Sequence, residues 1–326
     1  MTPSVVHRAV LTAAPPYDFA LSVRALEGFG PMAGEHRVAD GCVRRAFAHP
    51  DPAKAAAGAA VVAQVDAGPT GGVRLAVLAA APLTAAEAAA VEQAVAGWLG
   101  LADDLRGFHA IADADPAMAP VLRVARGLHQ VRFPSLSEAT IYFTLTQRST
   151  QWFAGARRRR MAAELGPSLV VDDVVYRSFP SLEVVAGLDD ETLRGYAGNA
   201  QRAARVREVA AGVAGLGETW LRVAPYCDAR TALLALPGVG PFTANALLLR
   251  GLGRPDEVPL EMRQFRLTAE QVYGTPPPTP AELRARYGPH IGWWSYITRT
   301  AAAWREGPEE VQAVREMVRS SPSPGS

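Results

Sequence analysis

Leu236-Pro237-Gly238-Val239-Gly240-Pro241-Phe242-Thr243-Ala244, continued by an apolar stretch to Arg250, is the segment from which the fold can be read. An apolar turn runs into Gly-x-Gly and directly into a helix, which predicts two helices joined by a tight hairpin that needs glycine. The first N–H groups of the second helix have no partner inside it, and the helix dipole is positive there. The turn therefore suits a phosphate oxygen, held by backbone rather than by side chains.

The chain has 326 residues, 49% of them apolar, enough for two cores. Its formal net charge is +1, so any contact with nucleic acid depends on local basic patches and not on a global field. Lys54 is the one lysine, and every other basic side chain apart from histidine is arginine. Cys42 and Cys227 are the only cysteines, which excludes a four-cysteine iron–sulfur cluster and any cysteine-rich metal site. No signal-peptide core and no run of transmembrane length is present, so a reduced, cytoplasmic protein is expected.

Residues 1–16 read as a polar, proline-containing flexible lead-in, with order starting near Tyr17. Short alternating or β-branched runs at Tyr17–Leu26, His36–Ala48, Ala60–Asp66 and Gly72–Leu78, separated by Gly-Pro and Gly-Gly turns, predict an antiparallel sheet. Ala53–Ala60 is taken as a loop between strands. Thr84 with Glu87 three places on has capping-box spacing and opens an alanine-rich helix to Leu99 that should cover the sheet. From Asp103 the spacing becomes helical, with elements expected at Ser135–Leu145, Gln151–Leu165, Asn199–Ala214, Asp228–Leu236, Phe242–Leu252, Pro259–Tyr273 and Trp293–Arg305 among others. The expected fold is α+β: an N-terminal antiparallel sheet with its covering helix over 17–102, an all-α domain over 103–306, and a last charged helix and disordered tail over 307–326.

After Arg250 the chain reads Gly251-Leu252-Gly253-Arg254-Pro255-Asp256-Glu257-Val258-Pro259-Leu260-Glu261. Hairpin, helix, Gly/Pro-rich loop and then an acid resembles the core of the helix-hairpin-helix DNA glycosylases, in which the acid is an essential aspartate. Three further segments resemble the alkylated-base branch of that superfamily, the 3-methyladenine DNA glycosylase II type. They are Phe133–Ala139 with Leu145–Thr150, Asp104–Pro120, and Gly292-Trp293-Trp294-Ser295-Tyr296. The resemblance spans about Tyr17 to Trp304 and is sharpest at the hairpin.

The resemblance implies double-stranded DNA containing a damaged base as partner, extrusion of that base, and hydrolysis of its N-glycosidic bond. Glu261 stands where the aspartate is expected. A carboxylate there would steady an oxocarbenium-like sugar, worth about 4 kcal/mol at ~4 Å in an effective dielectric near 20, and would orient water. If Pro259 opens a helix, Glu261 falls in its first turn, where the charged form is favoured. Glutamate is one methylene too long, a displacement that can cost ~100-fold in rate. A lapsed enzyme that only binds lesions is therefore the alternative, and a plain solvated glutamate is the simplest reading of the residue. A hairpin used only for packing, in a protein that never meets DNA, also stays open.

Bifunctional relatives place a lysine where this chain has Phe242, so a Schiff base at the hairpin is excluded and the enzyme would be monofunctional. Phe242, Tyr142, Trp293 and Trp294 are expected to line the base pocket, with Phe143, Trp152 and Tyr296 as further walls. Gln147 and Arg148 match the loop that fills the gap left by the flipped base. Gly238, Val239, Gly240, Thr243, Arg250 and Arg263, with Arg254 nearby, are expected at the DNA backbone. The resemblance also implies a monovalent cation, Na+ or K+, on the backbone carbonyls of Leu234, Leu236 and Val239, with no other cofactor. Arg157–Arg160 points all round a helix and is read as a partly solvated face. A monomer associated with the nucleoid is expected.

Overall fold

The computed structural model describes residues 3–32 and 35–305. The expected last helix to Arg319 and the Ser/Pro/Gly tail fall outside the described residues.

Five strands, β1 Ser4–Leu11, β2 His36–Ala39, β3 Cys42–Ala48, β4 Ala60–Ala67 and β5 Val73–Ala79, form an antiparallel sheet in the order β1-β5-β4-β3-β2. The central strand β4 is buried on both faces, with Val61 and Val62 fully inaccessible. One face packs against α1 (Phe19–Glu27) and against a long covering helix, Ala85–Leu99, through Val91, Val95 and Trp98. A short helix, α2 (Pro52–Ala56), lies between β3 and β4, so the covering helix is α3. Its capping box forms as expected, the Thr84 hydroxyl accepting from Glu87 N–H at 3.2 Å and the Glu87 carboxylate accepting from Thr84 N–H at 2.7 Å.

Three expectations in this region are corrected. Ser4–Leu11 is not a flexible lead-in but an edge strand, which the sequence hides because an edge strand needs no fully buried face: Ser4, Val5, Arg8 and Val10 are exposed. Tyr17–Leu26 is a helix, opened by Asp18, whose side chain accepts from Ala20 N–H at 2.8 Å, and burying Phe19, Ser22, Ala25 and Leu26 at helical spacing. Ala53–Ala60 is not simply loop, because Asp51 caps α2 with Pro52 in its first turn.

The chain continues through α4 (Arg106–Asp113), α5 (Ala119–Ala125), α6 (Leu136–Leu145) and α7 (Gln151–Leu165) to a small hairpin, β6 (Ser168–Val171) with β7 (Val174–Arg177), not foreseen in the sequence. That hairpin covers the second face of the sheet, where Leu169, Val171 and Tyr176 meet Ala46, Val62 and Leu78. Then follow α8 (Leu182–Ala186), α9 (Asp190–Ala197), α10 (Ala200–Leu216), α11 (Glu218–Val223), α12 (Tyr226–Leu234) and α13 (Pro241–Ala246). The last of these runs on as a π turn, Leu247–Gly251, before α14 (Arg263–Tyr273), α15 (Pro280–Tyr287) and α16 (Ile291–Arg305).

The two large cores do not divide at residue 102. One joins the sheet and its helix to α4, α5 and α14–α16; the other gathers the segment from α6 to the π turn after α13. Buried charge ties sheet to helices. Arg45 on β3 and Arg158 on α7 are fully buried and share the carboxylates of Glu138 and Glu35, with Arg45 to Glu138 at 3.1 Å and Arg158 to Glu35 at 3.0 Å. The expected solvated arginine face thus holds for only part of Arg157–Arg160. Arg157 donates to the carbonyls of Gly195 and Tyr196, and Arg160 pairs with Glu164.

Candidate functional site

The hairpin is where the sequence puts it. Helix α12 leads into Leu236–Gly240, closed by Val239 N–H donating to Leu236 O at 3.1 Å, and Gly240 caps α13. Only one of the two glycines is required by conformation. Gly238 has φ +83°, and a Cβ there would press within 2.7 Å of Arg205 Cγ, whereas Gly240 is extended with open space around it. Gln147 supports the turn directly, its Nε2 donating to Gly238 O at 2.7 Å and Thr243 Oγ1 at 3.1 Å. Thr243 and Val239 are buried, so their side chains serve the turn and only backbone is presented. Next to Gln147, Arg148 is exposed and held at φ +50°, an uncommon conformation for a side chain of its size.

A cavity of about 500 Å³ opens between the two cores. From the hairpin helix it is lined by Phe242, Asn245, Leu249 and Arg250, from α6 by Tyr142 and Phe143, and from α16 by Tyr296 and Trp304. Phe29 and Phe265, which the sequence did not single out, close it from the loop after α1 and from α14. Phe242 meets Phe143 edge-on with ring centroids 6.0 Å apart.

Three expected walls are elsewhere. Trp294 is fully buried beside Tyr287, and Trp293 stacks on His290 at 5.4 Å; they come one and two residues before the part of α16 that reaches the cavity, which begins at Ser295. Trp152 is 71% exposed and lines nothing. Arg250 is not free to meet a DNA backbone. It lies flat in the cavity wall, its guanidinium 4.4 Å from the Phe29 ring and 4.9 Å from that of Tyr296. Arg254 is likewise engaged, donating to Leu221 O at 2.9 Å, while Arg263 is exposed.

The loop to α14 differs from expectation in a way that bears on chemistry. Pro259 does not open a helix: Pro259–Met262 is a turn, Met262 N–H donating to Pro259 O at 3.0 Å, and the helix starts at Arg263. Glu261 therefore precedes the helix. Its carboxylate, 64% exposed, is gripped by Arg284 at 2.8 and 3.3 Å, and Arg284 also holds Glu257 at 3.0 Å. The Arg284 guanidinium keeps the Glu261 carboxyl below the usual carboxylate range. Glu261 is not among the residues lining the cavity, and among the described residues no aspartate or glutamate is; from this element the polar side chain in the lining is Gln264, in the first turn of α14.

Met262 occupies the cap of α14 with no side-chain bond to the helix's free N–H groups. Aspartate at this position would accept from them, so Met262→Asp is expected to stabilise the protein by about 0.5–2 kcal/mol, read as a higher midpoint in urea. An unchanged or lower midpoint would show that the extended cap geometry is not kept.

Among the described residues no cluster of histidine, cysteine and carboxylate is placed to hold a metal ion, and no helix is long and apolar enough to cross a membrane.

No family model matches the chain. Over 196 residues it is 34% identical to the "Probable bifunctional transcriptional activator/DNA repair enzyme AlkA" of Mycobacterium tuberculosis, a match covering 57% of this chain and 37% of that one. It is 28% identical over 166 residues to the "DNA-3-methyladenine glycosylase" of Bacillus subtilis, covering 50% of this chain and 55% of the relative. The chain thus spans between 37% and 55% of the length of these curated relatives. In fold it is similar to the 3-methyladenine DNA-glycosylase from Archaeoglobus fulgidus, with a TM-score of 0.71 over 91% of this chain and 98% of that one, at 17% identity. In sequence the chain is thus similar, over 50–57% of its length, to proteins named as AlkA and as a DNA-3-methyladenine glycosylase, and in fold to a 3-methyladenine DNA-glycosylase.

Proposed function

We propose that the chain binds duplex DNA through the hairpin, takes an extruded damaged base into the adjoining cavity and releases it as a monofunctional DNA N-glycosylase. The observation that carries this reading is continuity. The helix that starts at the phosphate-facing turn also supplies Phe242, Asn245, Leu249 and Arg250 to the cavity wall, so a strand held at the turn delivers its nucleotide to an aromatic chamber. Gly238, Gly240 and Thr243 offer backbone N–H groups to phosphate, with the turn around Val239 held closed by its own N–H, Arg263 adds a positive charge, and exposed Arg148 fills the vacated stack. The carbonyls of Leu234, Leu236 and Val239 are hard oxygen donors that suit Na+ or K+ facing the same phosphate; Leu236 O also accepts from Val239 N–H, which leaves it a second lone pair. With Phe242 at the lysine position, strand cleavage through a Schiff base is not available. The same reading makes the protein a monomer at the nucleoid.

One observation favours a second reading, lesion binding without hydrolysis: the Glu261 carboxylate is paired with Arg284 outside the cavity. A base-release assay on duplexes with an alkylated purine, comparing wild type, Glu261→Gln and Glu261→Asp, decides between them. Release that Glu261→Gln lowers by about 100-fold or more supports hydrolysis through Glu261. Release that Glu261→Gln leaves intact keeps the glycosylase but removes Glu261 from it. Tight binding with no release by wild type establishes the second reading, and failure of all three to bind an abasic-site duplex at low salt overturns both.

A further inference from the structure

One side chain that the sequence does not mark lies against the hairpin. A Cβ at Gly238 would come within 2.7 Å of Arg205 Cγ, 3.1 Å of its Cδ and 3.5 Å of its Nε. The stem of Arg205, from α10, therefore runs past the turn and brings the start of its guanidinium beside it. Arg205 is half-buried, makes no hydrogen bond or ion pair among the described residues, and keeps its nitrogens open to solvent. Its neighbours on α10 are engaged. Arg202 donates to Ala197 O at 3.1 Å with its guanidinium 4.9 Å from the Phe153 ring, and Arg207 pairs with Asp190 and donates to Leu188 O at 2.6 Å. The backbone of the turn has the same polarity as Arg205. Gln147 already occupies Gly238 O, while the N–H groups of Gly238 and Gly240 make no hydrogen bond among the described residues. What the turn leaves open is thus donors, and Arg205 adds a forked set of donors and a full positive charge to them. An anion at the turn answers both.

We propose that Arg205 is a phosphate-binding residue of the DNA interface, its guanidinium closing on the phosphate that the N–H groups of the hairpin hold. The planar fork suits the oxygens of a phosphate, and the aliphatic stem reaches the turn closely because Gly238 has no Cβ. The contact carries no information about the base; it fixes where the strand lies on the hairpin. This inference rests on the reading that the hairpin meets a DNA phosphate.

Fluorescence anisotropy with a labelled duplex carrying an abasic-site analogue, run at salt from about 50 to about 200 mM, tests it. Each phosphate neutralised contributes about 0.9 to the slope of log affinity against log salt. Arg205→Met keeps the stem and removes the charge. It is expected to make that slope shallower by about one, so that the ratio of wild-type to variant affinity shrinks about threefold across this range, with the urea midpoint unchanged. Arg205→Lys should keep the wild-type slope. Arg207→Met removes a charge from the same helix that Asp190 already holds, and it too should keep the wild-type slope. An unchanged slope in Arg205→Met, or an equal change in Arg207→Met, overturns the proposal, while binding by wild type leaves the DNA-binding reading intact. A wild type that does not bind the duplex at the lowest salt overturns that reading and the proposal with it. Should Arg205→Met not fold, as circular dichroism would show, Arg205→Gln is judged by the same slope.

Discussion

Glu138→Ala is expected to destabilise the protein by about 3–5 kcal/mol, seen as a fall in the urea midpoint with little change in slope. Glu138 is fully buried and takes Arg45 from the sheet and Arg158 from α7, while Glu35 completes a balanced set of two positive and two negative groups. Removing one carboxylate leaves two buried guanidinium groups with a single exposed-side partner, and the Nε of each already lacks one. The loss is that of an uncompensated buried charge and not of a surface pair, which would be worth about 0–1 kcal/mol. A drop below about 1 kcal/mol would mean that water enters the cluster. Removing Arg158 together with Glu138, replaced by methionine and leucine, should recover part of the loss, because a neutral pair leaves no orphan charge.

Such a cluster is hard to see in the sequence, and the reason is general. Arg158 sits in a run of four arginines, where solvation is the economical reading; its partners are 20 and 123 residues away. Elements carrying their own local signals were legible. Thr84 and Glu87 cap α3 through contacts three residues apart, and the hairpin glycines sit inside their own turn. Elements specified by partners were not. β1 is a strand only because β5 offers it an edge, and β6–β7 only because the second sheet face needs a cover.

The site shows the same division. Phe242 and Tyr142, placed by the hairpin helix and its neighbour, line the cavity, whereas Gln147, expected to fill the gap left by a flipped base, is bonded to the hairpin turn. Trp293 and Trp294 are on the right helix but just before the residues of α16 that line the cavity, a matter of where α16 crosses it. Proline commonly opens helices, which would put Glu261 in a first turn, yet the chain makes one more turn before α14. Arg250 had a signal of its own: a single cation closing the apolar run Leu247-Leu248-Leu249 on a helix that must be buried. That pattern points inward, to the cavity, and away from a phosphate.

Gly253 joins fold and site, and Gly253→Ala is expected to cost about 3–5 kcal/mol and to weaken binding of a duplex carrying an alkylated purine. The residue ends the helical run that carries Phe242 and Arg250, its N–H donating to Leu249 O at 3.1 Å, and it has φ +74°. A Cβ there would fall on the guanidinium of Arg132. Arg132 cannot yield cheaply: it is buried, paired with Asp103, bonded to Gly97 O at 3.1 Å, and its own N–H donates to Trp98 O at 2.8 Å at the end of α3. Displacing it breaks a buried ion pair, at about 3–5 kcal/mol, and shifts Phe133, whose N–H is bonded to Arg250 O at 3.1 Å. The disturbance thus reaches the residue that lies flat in the cavity wall. Gly253→Asn separates the two causes, since asparagine tolerates positive φ but still carries a Cβ. Equal damage from alanine and asparagine, in the urea midpoint and in binding of a duplex carrying an alkylated purine, identifies the close approach to Arg132 as decisive. Recovery by asparagine alone would assign the requirement to backbone conformation and sever the link between Arg132 and the cavity.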